Sequence, residues 1–371
     1  MMEKCVFLAA GGTGGHLFPA ESLAIALQAR GIAVELATDD RALRYGSQFP
    51  ARAIHTIPAA TPRNGSLIAK GVAALTLLRG VASALLLLRQ RKPACVVGFG
   101  GYPTVPPVLA ASLLGIPTII HDQNAVLGKA NRFLSGRVDA IGCGFPEPGG
   151  VPASLRSRVH MTGNPVRPSV LDAAQVAYSS FDDQRLRLLI TGGSQGAKVM
   201  SDVLPAAIEL LTPAQRARLV IVQQARGEDE ARVRDAYQRM DLAAEVAPFF
   251  KDLPQRIAQA HLVIARAGAS TVSELAVIGR PAILVPFPFA LDQDQAANAR
   301  QLEATGAVDV VAQTGFTPQW LAARLEAAMN EPERLKARAA AAKAAGVPDA
   351  ASRLADLVQS TIARATSETA K

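Results

Sequence analysis

CVFLAAGGTGGH, residues 5–16, decides the fold of this chain. An apolar run leads directly into a glycine-rich turn, and LRLLITGGSQGA at residues 186–197 repeats the arrangement. Each copy predicts a strand, a turn in which the backbone can approach a ligand, and a helix start that attracts anions. Two copies predict two α/β domains. Only the first copy carries a histidine, His16.

Other apolar runs of strand length alternate with helical patterns. This alternation predicts parallel sheets covered on both faces, with ligands bound beyond the carboxyl ends of the strands. We expect the first helix over Pro19–Arg30, with Gly31 just past its end. The predicted strands are Cys5–Ala10, Ala33–Thr38, Ala94–Gly98, Thr118–His121, Leu186–Thr191, Leu219–Gln223, Leu262–Ala265 and Ala282–Pro286.

The length of 371 residues favours two domains. A turn-rich stretch before Gly163–Pro168 predicts a first domain over residues 1–164 and a second over 165–348, followed by a final helix at about 349–365. Cys5, Cys95 and Cys143 are far apart and odd in number, which fits neither a disulfide framework nor a zinc site and indicates a reducing compartment. The apolar run after Lys4 is too short for a convincing signal peptide.

The net charge of +8 is unevenly distributed. Residues 1–164 hold 16 Lys/Arg and 8 Asp/Glu, whereas residues 165–371 hold 23 of each. Nine basic residues and no acid lie between Asp40 and Asp122. This bias indicates a solvated basic face, an anionic membrane surface or nucleic acid. Few aromatic residues accompany the cations, which disfavours single-stranded nucleic acid.

The segment Leu67–Lys92 contains an almost uncharged stretch, Gly71–Leu88, that is long enough to suggest a membrane span. Arg79 lies in its middle, where an arginine costs about 2.5–3.5 kcal/mol on insertion scales. The stretch also leads directly into a predicted strand. We therefore expect a helix packed on the first domain, with Lys70, Arg79, Arg89, Arg91 and Lys92 available to an anionic bilayer, or an ordinary buried helix.

The glycine turns lack the two common nucleotide fingerprints. After Gly12-Thr13-Gly14 the third glycine of the dinucleotide motif is missing, and Gly196 is followed by Ala197 rather than by the lysine of a P-loop. Both turns still suit a phosphate or pyrophosphate. His16 is either structural, as most lone histidines are, or a neutral proton acceptor at the mouth of a helix.

Two segments of the second half carry groups that suit sugar hydroxyls. In Ala269–Glu274, Ser270 and Thr271 are candidate helix caps, and Glu274 is either a first-turn helix acid or a ligand for two hydroxyls. Asp292–Asn298 is rich in amides and carboxylates. Its Asp292-x-Asp294 spacing resembles a metal-binding pair, although an acid there caps a helix equally well.

Taken together, these motifs resemble the MurG-type peptidoglycan N-acetylglucosaminyltransferases over essentially the whole chain. That resemblance implies a GT-B fold of two Rossmann-like domains facing a central cleft, with the last helix returning to the first domain. The matching elements are Gly11–His16 with Pro19, Gly100–Tyr102, His121–Asn124, Asn164–Arg167, Gly192–Gly196, Ala269–Glu274 and Asp292–Asn298.

The resemblance implies that N-acetylglucosamine moves from UDP-GlcNAc to the C4 hydroxyl of the muramyl sugar in lipid I, with inversion, giving lipid II and UDP. It implies no metal or other cofactor. His16 becomes the candidate base, Glu274 the ribose ligand, and Phe250 the residue whose backbone meets the uracil. The implied donor-site residues are Thr13, Gly14, Gly15, Asn124, Arg167, Ser194, Phe250, Ala269, Ser270, Thr271, Val272, Ser273, Glu274 and Gln295, with Tyr102 and Asp294 as additional candidates.

Two positions depart from the family pattern. Asp294 stands where many relatives carry an uncharged amide or imidazole, and Asp122 is a shorter acid than usual. The implied location is the cytoplasmic face of the bacterial inner membrane, with the anionic membrane surface and other cell-wall synthesis proteins as partners and no nucleic acid. The rival hypotheses are a glycosyltransferase of the same architecture with another lipid-linked or small acceptor, and a non-catalytic nucleotide-sugar-binding or membrane-adaptor protein.

Overall fold

A computed structural model describes residues 5–12, 14–39, 49–60, 67–193, 196–290 and 293–369. The chain divides into two compact units, residues 1–167 with 348–371 and residues 168–347. Each unit contains one wholly parallel sheet with helices packed against it. The prediction of two Rossmann-like α/β units is confirmed.

The first unit has seven parallel strands in the order β3-β2-β1-β4-β5-β6-β7. Its strands are β1 (Cys5–Ala9), β2 (Ala33–Thr38), β3 (Ala53–Thr56), β4 (Cys95–Gly98), β5 (Thr118–Asp122), β6 (Ala140–Cys143) and β7 (Val159–Met161). Its helices are α1 (Gly14–Gln28), α2 (Leu67–Arg91), α3 (Val105–Leu113) and α4 (Lys129–Leu134), with the last helix of the chain.

Strand β1 explains why the first sheet is covered on both faces. Alternate side chains of a strand point to opposite faces. Val6 and Leu8 join the apolar cluster that includes α1 and the final helix, whereas Phe7 and Ala9 join the cluster that includes α2 and α3. All of these side chains are buried, as a central parallel strand requires.

Helix α1 begins at Gly14, five residues before the predicted start at Pro19. Pro19 lacks the N–H that would bond the carbonyl of Gly15, but Gly15 is exposed, so water can satisfy that carbonyl. The helix ends at Gln28, two residues before the predicted end at Arg30. Gly31 follows with φ at 72°, and its N–H donates to the carbonyl of Gln28 at 2.9 Å. His16 therefore lies inside the first turn of α1.

Helix α2 is only partly buried. Its inner stripe, which includes Gly80, Ala84 and Leu88, packs towards α3, and a Cβ at Gly80 would stand 2.1 Å from the carbonyl oxygen of Pro58. Its outer face exposes Val72, Leu75, Leu78 and Leu86. The alternative of an ordinary buried helix is therefore wrong for residues 71–91. Gly71–Arg91 is the one helix in the described part of the chain that is long and apolar enough to cross a membrane, by length and composition only.

The second unit has six parallel strands in the order β10-β9-β8-β11-β12-β13. Its strands are β8 (Leu186–Thr191), β9 (Leu219–Gln224), β10 (Ala244–Ala247), β11 (Leu262–Ala265), β12 (Ala282–Leu284) and β13 (Val308–Val310). Its helices are α5 (Pro168–Ala173), α6 (Lys198–Glu209), α7 (Pro213–Arg216), α8 (Gly227–Arg239), α9 (Leu253–Gln259), α10 (Ala269–Ile278), α11 (Asp294–Glu303), α12 (Pro318–Asn330) and α13 (Pro332–Ala345).

The last helix, α14 (Ala350–Thr369), returns to the first unit and packs on α1, β4 and β6. It begins one residue after the predicted start and continues to Thr369. Arg30, just past α1, donates to Asp356 and Gln359 at 2.6 Å each. The final helix is thus part of the first unit.

The two sheets share one strand order, in which the order reverses between β1 and β4 and between β8 and β11. All eight predicted strands are present, with ends that differ by no more than two residues. Strands β3, β6, β7, β10 and β13 were not predicted. In sheets of this type ligands bind beyond the carboxyl ends at the reversal point, and both glycine turns follow the strands β1 and β8 that form it.

Candidate active site

His16 lies directly beyond the carboxyl end of β1, and the loop after β4 closes around its ring. A Cβ at Gly101 would stand 3.3 Å from Cε1 of His16, and a Cβ at Gly100 would stand 3.5 Å from its Nε2. Both glycines have positive φ, 87° at Gly100 and 73° at Gly101, which disfavours any other residue there. The imidazole is therefore held between the two loops that meet at the reversal point of the first sheet.

The surroundings of His16 keep the imidazole neutral. Burial lowers its pKa below the ordinary value of 6.5, opposed in order by the Asp122 carboxylate, a hydrogen bond to the Gly11 backbone and the Asp39 carboxylate. A neutral imidazole can accept a proton near neutral pH, and the nearby carboxylates stabilise the imidazolium that results.

Asp39, just past β2, was not identified from the sequence. Its carboxylate is buried, and Oδ1 accepts the N–H of Gly12 at 3.0 Å. A Cβ at Gly11 would stand 2.7 Å from that same oxygen. An acid directly after a buried strand next to β1 is the sequence signal that could have found it. Asp39 fixes the first glycine turn and places a negative charge near His16.

Asp122 organises the loop between β5 and α4. Its two oxygens accept the N–H of Asn124 at 3.0 Å, the N–H of Gly128 at 2.8 Å and Nδ2 of Asn131 at 3.0 Å. All three donors lie in the loop or in α4, so the shorter acid at this position is a structural ligand of the segment. The half-buried Asn124, a predicted donor-site residue, is set in place by this network.

His121 is structural. The ring is buried, Nε2 lies 3.0 Å from the carbonyl oxygen of Gly163, and Nδ1 lies 3.2 Å from Nε2 of Gln123. These partners fit a proton on Nε2. Burial lowers the pKa of His121 to about 4, so it stays neutral where His16 would act.

Arg167 and Tyr102, two further predicted site residues, both belong to the first unit. The guanidinium carbon of Arg167 lies 4.3 Å from the ring centroid of Phe18 in α1. Tyr102 begins a short 3₁₀ turn after β4 and is half-buried. Gly14 and Gly15 form the start of α1. Thr13 lies outside the described residues.

The second glycine turn, after β8, is equally tight. A Cβ at Gly192 would stand 2.2 Å from the backbone nitrogen of Ala197, so no larger residue fits. Gly193 and Gly196 have φ of 82° and 69°. Helix α6 starts at Lys198, directly after the turn, which leaves backbone N–H groups for an anion. Ser194 lies outside the described residues.

Gln224 at the end of β9 holds this turn and was missed in the sequence. Its Oε1 accepts from Thr191 Oγ1 at 2.8 Å and from the N–H of Gly192 at 3.0 Å. Its Nε2 donates to the carbonyls of Gly193 at 2.9 Å and Pro248 at 3.1 Å. One buried amide thus joins the glycine turn to the loop that leads to Phe250, where Arg256 covers the ring at 4.2 Å.

The predicted helix after β11 is α10, and its cap differs from the prediction. The N-cap residue is Gly268, and Ser270 and Thr271 lie in the first turn with Ala269 and Val272. Glu274 is the sixth residue of the helix and is buried, so it is not a first-turn surface acid. Ser273 beside it is half-buried. The start of α10 lies at the reversal point, next to the turn after β8.

Gln295 in α11 ties together the loops after β11 and β12. Its Oε1 accepts the N–H of Phe287 at 3.0 Å and that of Ala267 at 3.3 Å. Asp294 begins α11, and its Oδ1 accepts the N–H of Gln295 at 2.7 Å. Asp292 lies outside the described residues. Within the described residues no group of three or more His, Cys, Asp or Glu side chains could hold a metal ion.

Family models match both units. The glycosyltransferase family 28 N-terminal domain matches residues 6–143, and the C-terminal domain of that family matches residues 187–354. The chain resembles the solved MurG of Acinetobacter baumannii with a TM-score of 0.77 and 33% identity, over 96% of this chain and 99% of that one.

Relatives with curated names are closer in sequence. A "UDP-N-acetylglucosamine--N-acetylmuramyl-(pentapeptide) pyrophosphoryl-undecaprenol N-acetylglucosamine transferase" of Methylobacterium sp. (strain 4-46) is 59% identical over 97% of both chains. The protein of the same name from Rhizobium johnstonii is 53% identical over 99% of this chain and 98% of its own. With such identity along nearly its full length, and with one family 28 domain in each half, the chain belongs to the MurG family of N-acetylglucosamine transferases.

Proposed function

We propose that this enzyme transfers N-acetylglucosamine from UDP-GlcNAc to the C4 hydroxyl of the muramyl sugar in undecaprenyl-pyrophosphoryl-MurNAc-pentapeptide, lipid I. The products are lipid II and UDP, and the reaction serves peptidoglycan synthesis and thereby cell shape and division. Family membership supports the substrates. The observation that carries the chemistry is the position of His16, whose ring is held between two glycine loops at the reversal point of the first sheet, where burial lowers its pKa.

His16 acts as the general base. The acceptor C4 hydroxyl gives its proton to the imidazole as its oxygen bonds to the anomeric carbon of the donor sugar. The bond from that carbon to the UDP oxygen breaks on the opposite face, which inverts the anomeric centre. The Asp122 and Asp39 carboxylates favour the imidazolium formed in this step.

The second unit binds the donor. The starts of α6 and α10, two positive helix ends, bind the diphosphate through their backbone amides, and Ser194 is a further proposed contact. Glu274 accepts from the ribose hydroxyls, and the backbone at Phe250 meets the uracil. Gln295 binds the sugar through Nε2, since its Oε1 accepts from two backbone amides.

The remaining proposed donor contacts come from the first unit, with Tyr102 and Asp294 as additional candidates; they are Thr13, Gly14, Gly15, Asn124 and Arg167. Amides and helix starts stabilise the charge on departing UDP, so catalysis proceeds without a metal. We expect activity to be unchanged in EDTA. Activity that is lost in EDTA and restored by Mg²⁺ would return attention to Asp294 and its neighbour Asp292.

The outer face of α2 is the proposed membrane contact. Val72, Leu75, Leu78 and Leu86 are exposed there together with Arg79 and Arg89. Leu113 of α3 and Phe133 of α4 add further exposed apolar surface on the same unit. Such a surface suits the interface of an anionic bilayer, so we place the enzyme at the cytoplasmic face of the inner membrane, near other cell-wall synthesis proteins.

The deciding experiment supplies the purified enzyme with UDP-GlcNAc and lipid I and follows both UDP release and lipid II formation. Replacement of the acceptor by other lipid-linked or small sugars separates this proposal from a transferase with a different acceptor. Turnover that favours another acceptor over lipid I, or no UDP release at all, would contradict the proposal.

A further inference from the structure

Two exposed phenylalanines stand on the loop after β12. Phe289 is 81% exposed and Phe287 is 42% exposed, and their rings meet edge to face with centroids 5.7 Å apart. Contiguous exposed apolar surface marks interaction sites, and two aromatic rings in contact form such a surface. No step of the proposed mechanism uses them.

The base of this loop is held rigidly. Arg266 is buried, and its Nη1 donates to the carbonyls of Val285 at 3.0 Å and Pro286 at 3.2 Å. The same guanidinium lies 5.4 Å from the centroid of Phe287. Pro286 and Pro288 flank Phe287 and restrict its backbone. The aromatic pair is therefore pre-organised, which lowers the entropy lost on binding.

The loop adjoins the proposed contact to the donor sugar. Gln295, which binds that sugar in the proposed function, accepts the N–H of Phe287 at 3.0 Å through the same side chain. Transfer joins the donor sugar to the acceptor sugar, so a surface next to the donor sugar is within reach of the acceptor sugar. Flat aromatic rings suit the C–H face of a pyranose, and they carry no hydrogen-bond donor or positive charge that would favour a phosphate.

We infer that Phe287 and Phe289 form an aromatic platform for the saccharide of the acceptor, with Phe289 as the main contact. This inference rests on the proposed function and adds to it a binding residue on the donor-binding unit. The platform acts on acceptor affinity, whereas donor affinity depends on the turn after β8, α10 and Gln295.

The test compares wild type with Phe289→Ala, Phe289→Leu and Phe289→Trp, using a water-soluble lipid I analogue with a short prenyl chain. We expect the KM for this acceptor to rise about tenfold or more in Phe289→Ala, to rise less in Phe289→Leu and to stay near wild type in Phe289→Trp. The KM for UDP-GlcNAc should stay within about twofold. Leu210→Ala, which removes another exposed apolar side chain of the same unit, is the matched control.

Several results would overturn the inference. An unchanged acceptor KM in Phe289→Ala would do so, and so would an equal rise in the donor KM, which would assign the loop to the donor. Loss of binding to phosphatidylglycerol vesicles with a normal acceptor KM would assign it to the bilayer. Wild-type enzyme that transfers no N-acetylglucosamine would refute the proposed function instead. Because Phe289 is so exposed, thermal unfolding should be unchanged and serves as the folding check.

Discussion

At the scale of single residues, the first glycine turn shapes the environment of one histidine. Gly100 and Gly101 admit the ring of His16, and Asp39 holds the turn through the N–H of Gly12. The first and second glycine turns have similar sequences, but the first leads into His16 at the start of α1, whereas the second is joined by Gln224 to the loop that leads to Phe250.

The pH dependence of turnover tests the environment of His16. A base must be neutral, and burial lowers its pKa, so kcat/KM should fall on acidification with a midpoint below pH 6.5. Asp39→Asn keeps an oxygen for the Gly12 N–H but removes a charge that raises this pKa, so its acidic limb should move to lower pH. His16→Ala should lower kcat about 10²–10⁴-fold and leave UDP binding unchanged. An acidic limb that is unmoved in Asp39→Asn would contradict this account.

Gln224 allows a second test at this scale. Gln224→Glu keeps an acceptor for Thr191 and Gly192 but cannot donate to the carbonyls of Gly193 and Pro248. Loss of these two hydrogen bonds costs about 1–3 kcal/mol in all, and the new carboxylate faces two carbonyl oxygens, so we expect UDP affinity, measured by calorimetry, to fall about tenfold. Gln238→Glu makes the same change on the exposed face of α8 and should bind UDP normally. Equal affinity in the two variants would show that Gln224 does not shape the donor site.

At the scale of elements, the two faces of α2 differ in side-chain size and charge, although both are largely apolar. Its inner stripe meets the unit through small residues such as Gly80 and Ala84, and its outer face is both apolar and basic. The sequence of such a helix looks almost uniformly apolar, so it resembles a membrane span until the packing is known.

Vesicle flotation tests the outer face of α2. Arg79→Gln with Arg89→Gln should reduce binding to vesicles rich in phosphatidylglycerol, because each cation near an anionic surface contributes about 1 kcal/mol. Leu75→Ser with Leu78→Ser should reduce binding to both anionic and neutral vesicles. Arg185→Gln with Arg239→Gln removes two exposed cations of the second unit and should have no effect. Unchanged flotation in both α2 variants would return this face to an ordinary solvated surface.

The strands show which elements a sequence reveals. The predicted ones, such as β1 and β8, are central and buried, so they appear as continuous apolar runs. Strands β3, β7, β10 and β13 lie at the sheet edges, and their alternating or partial burial breaks that run. Strand β6 is buried, but its four residues, AIGC, include one β-branched side chain, whereas the predicted β4 of equal length, CVVG, has two. An edge strand is stabilised by pairing with one neighbouring strand, and this long-range pairing cannot be recognised from the local sequence pattern.

The candidate site divides in a similar way. Glycine turns, His16 and the acid and amide segments have local signals, and the sequence located them. Asp39 and Gln224 each contact the glycine turn that follows a neighbouring strand. Asp39 is 27 residues from Gly12 in the sequence, and Gln224 is 32 residues from Gly192. The strand order of each sheet brings these residues together, and no local sequence signal indicates it. The predicted start of α1 at Pro19 was wrong. Proline is typical of the first turn of a helix, but here Pro19 lies inside α1, and the exposed carbonyl of Gly15 can bond to water instead of to an N–H at position 19.

At the scale of the whole molecule, the chain passes between the units at Arg167–Pro168 and at Val347–Pro348. In the second unit, the segments next to these two crossing points are joined by hydrogen bonds from Lys343 and Arg280, a group of contacts that we call the junction. Nζ of Lys343, in α13, donates to the carbonyl of Ala174 just past α5 at 2.7 Å and to that of Val277 at 2.9 Å. The segments that enter and leave the second unit are thereby fastened to each other and to α10.

Arg280 completes this junction. Its guanidinium is buried and donates to backbone carbonyls at or near the ends of three helices, including Ala258 of α9, Ile278 of α10 and Val176 after α5. Helix carboxyl ends carry partial negative charge, so a cation among them is favoured without a carboxylate partner. Burial lowers the pKa of Arg280, but an arginine remains charged.

Loss of this cation should destabilise the second unit specifically. Arg280→Met fills the space but leaves the carbonyls without donors, so we expect about 3 kcal/mol or more of lost stability in urea unfolding, together with weaker UDP binding. Arg334→Met removes an exposed arginine paired with exposed Glu331 and should cost less than about 1 kcal/mol. Saturating UDP should recover part of the loss in Arg280→Met, because a ligand of the folded unit stabilises it by mass action. If Arg280→Met unfolds like Arg334→Met, the junction does not support the second unit.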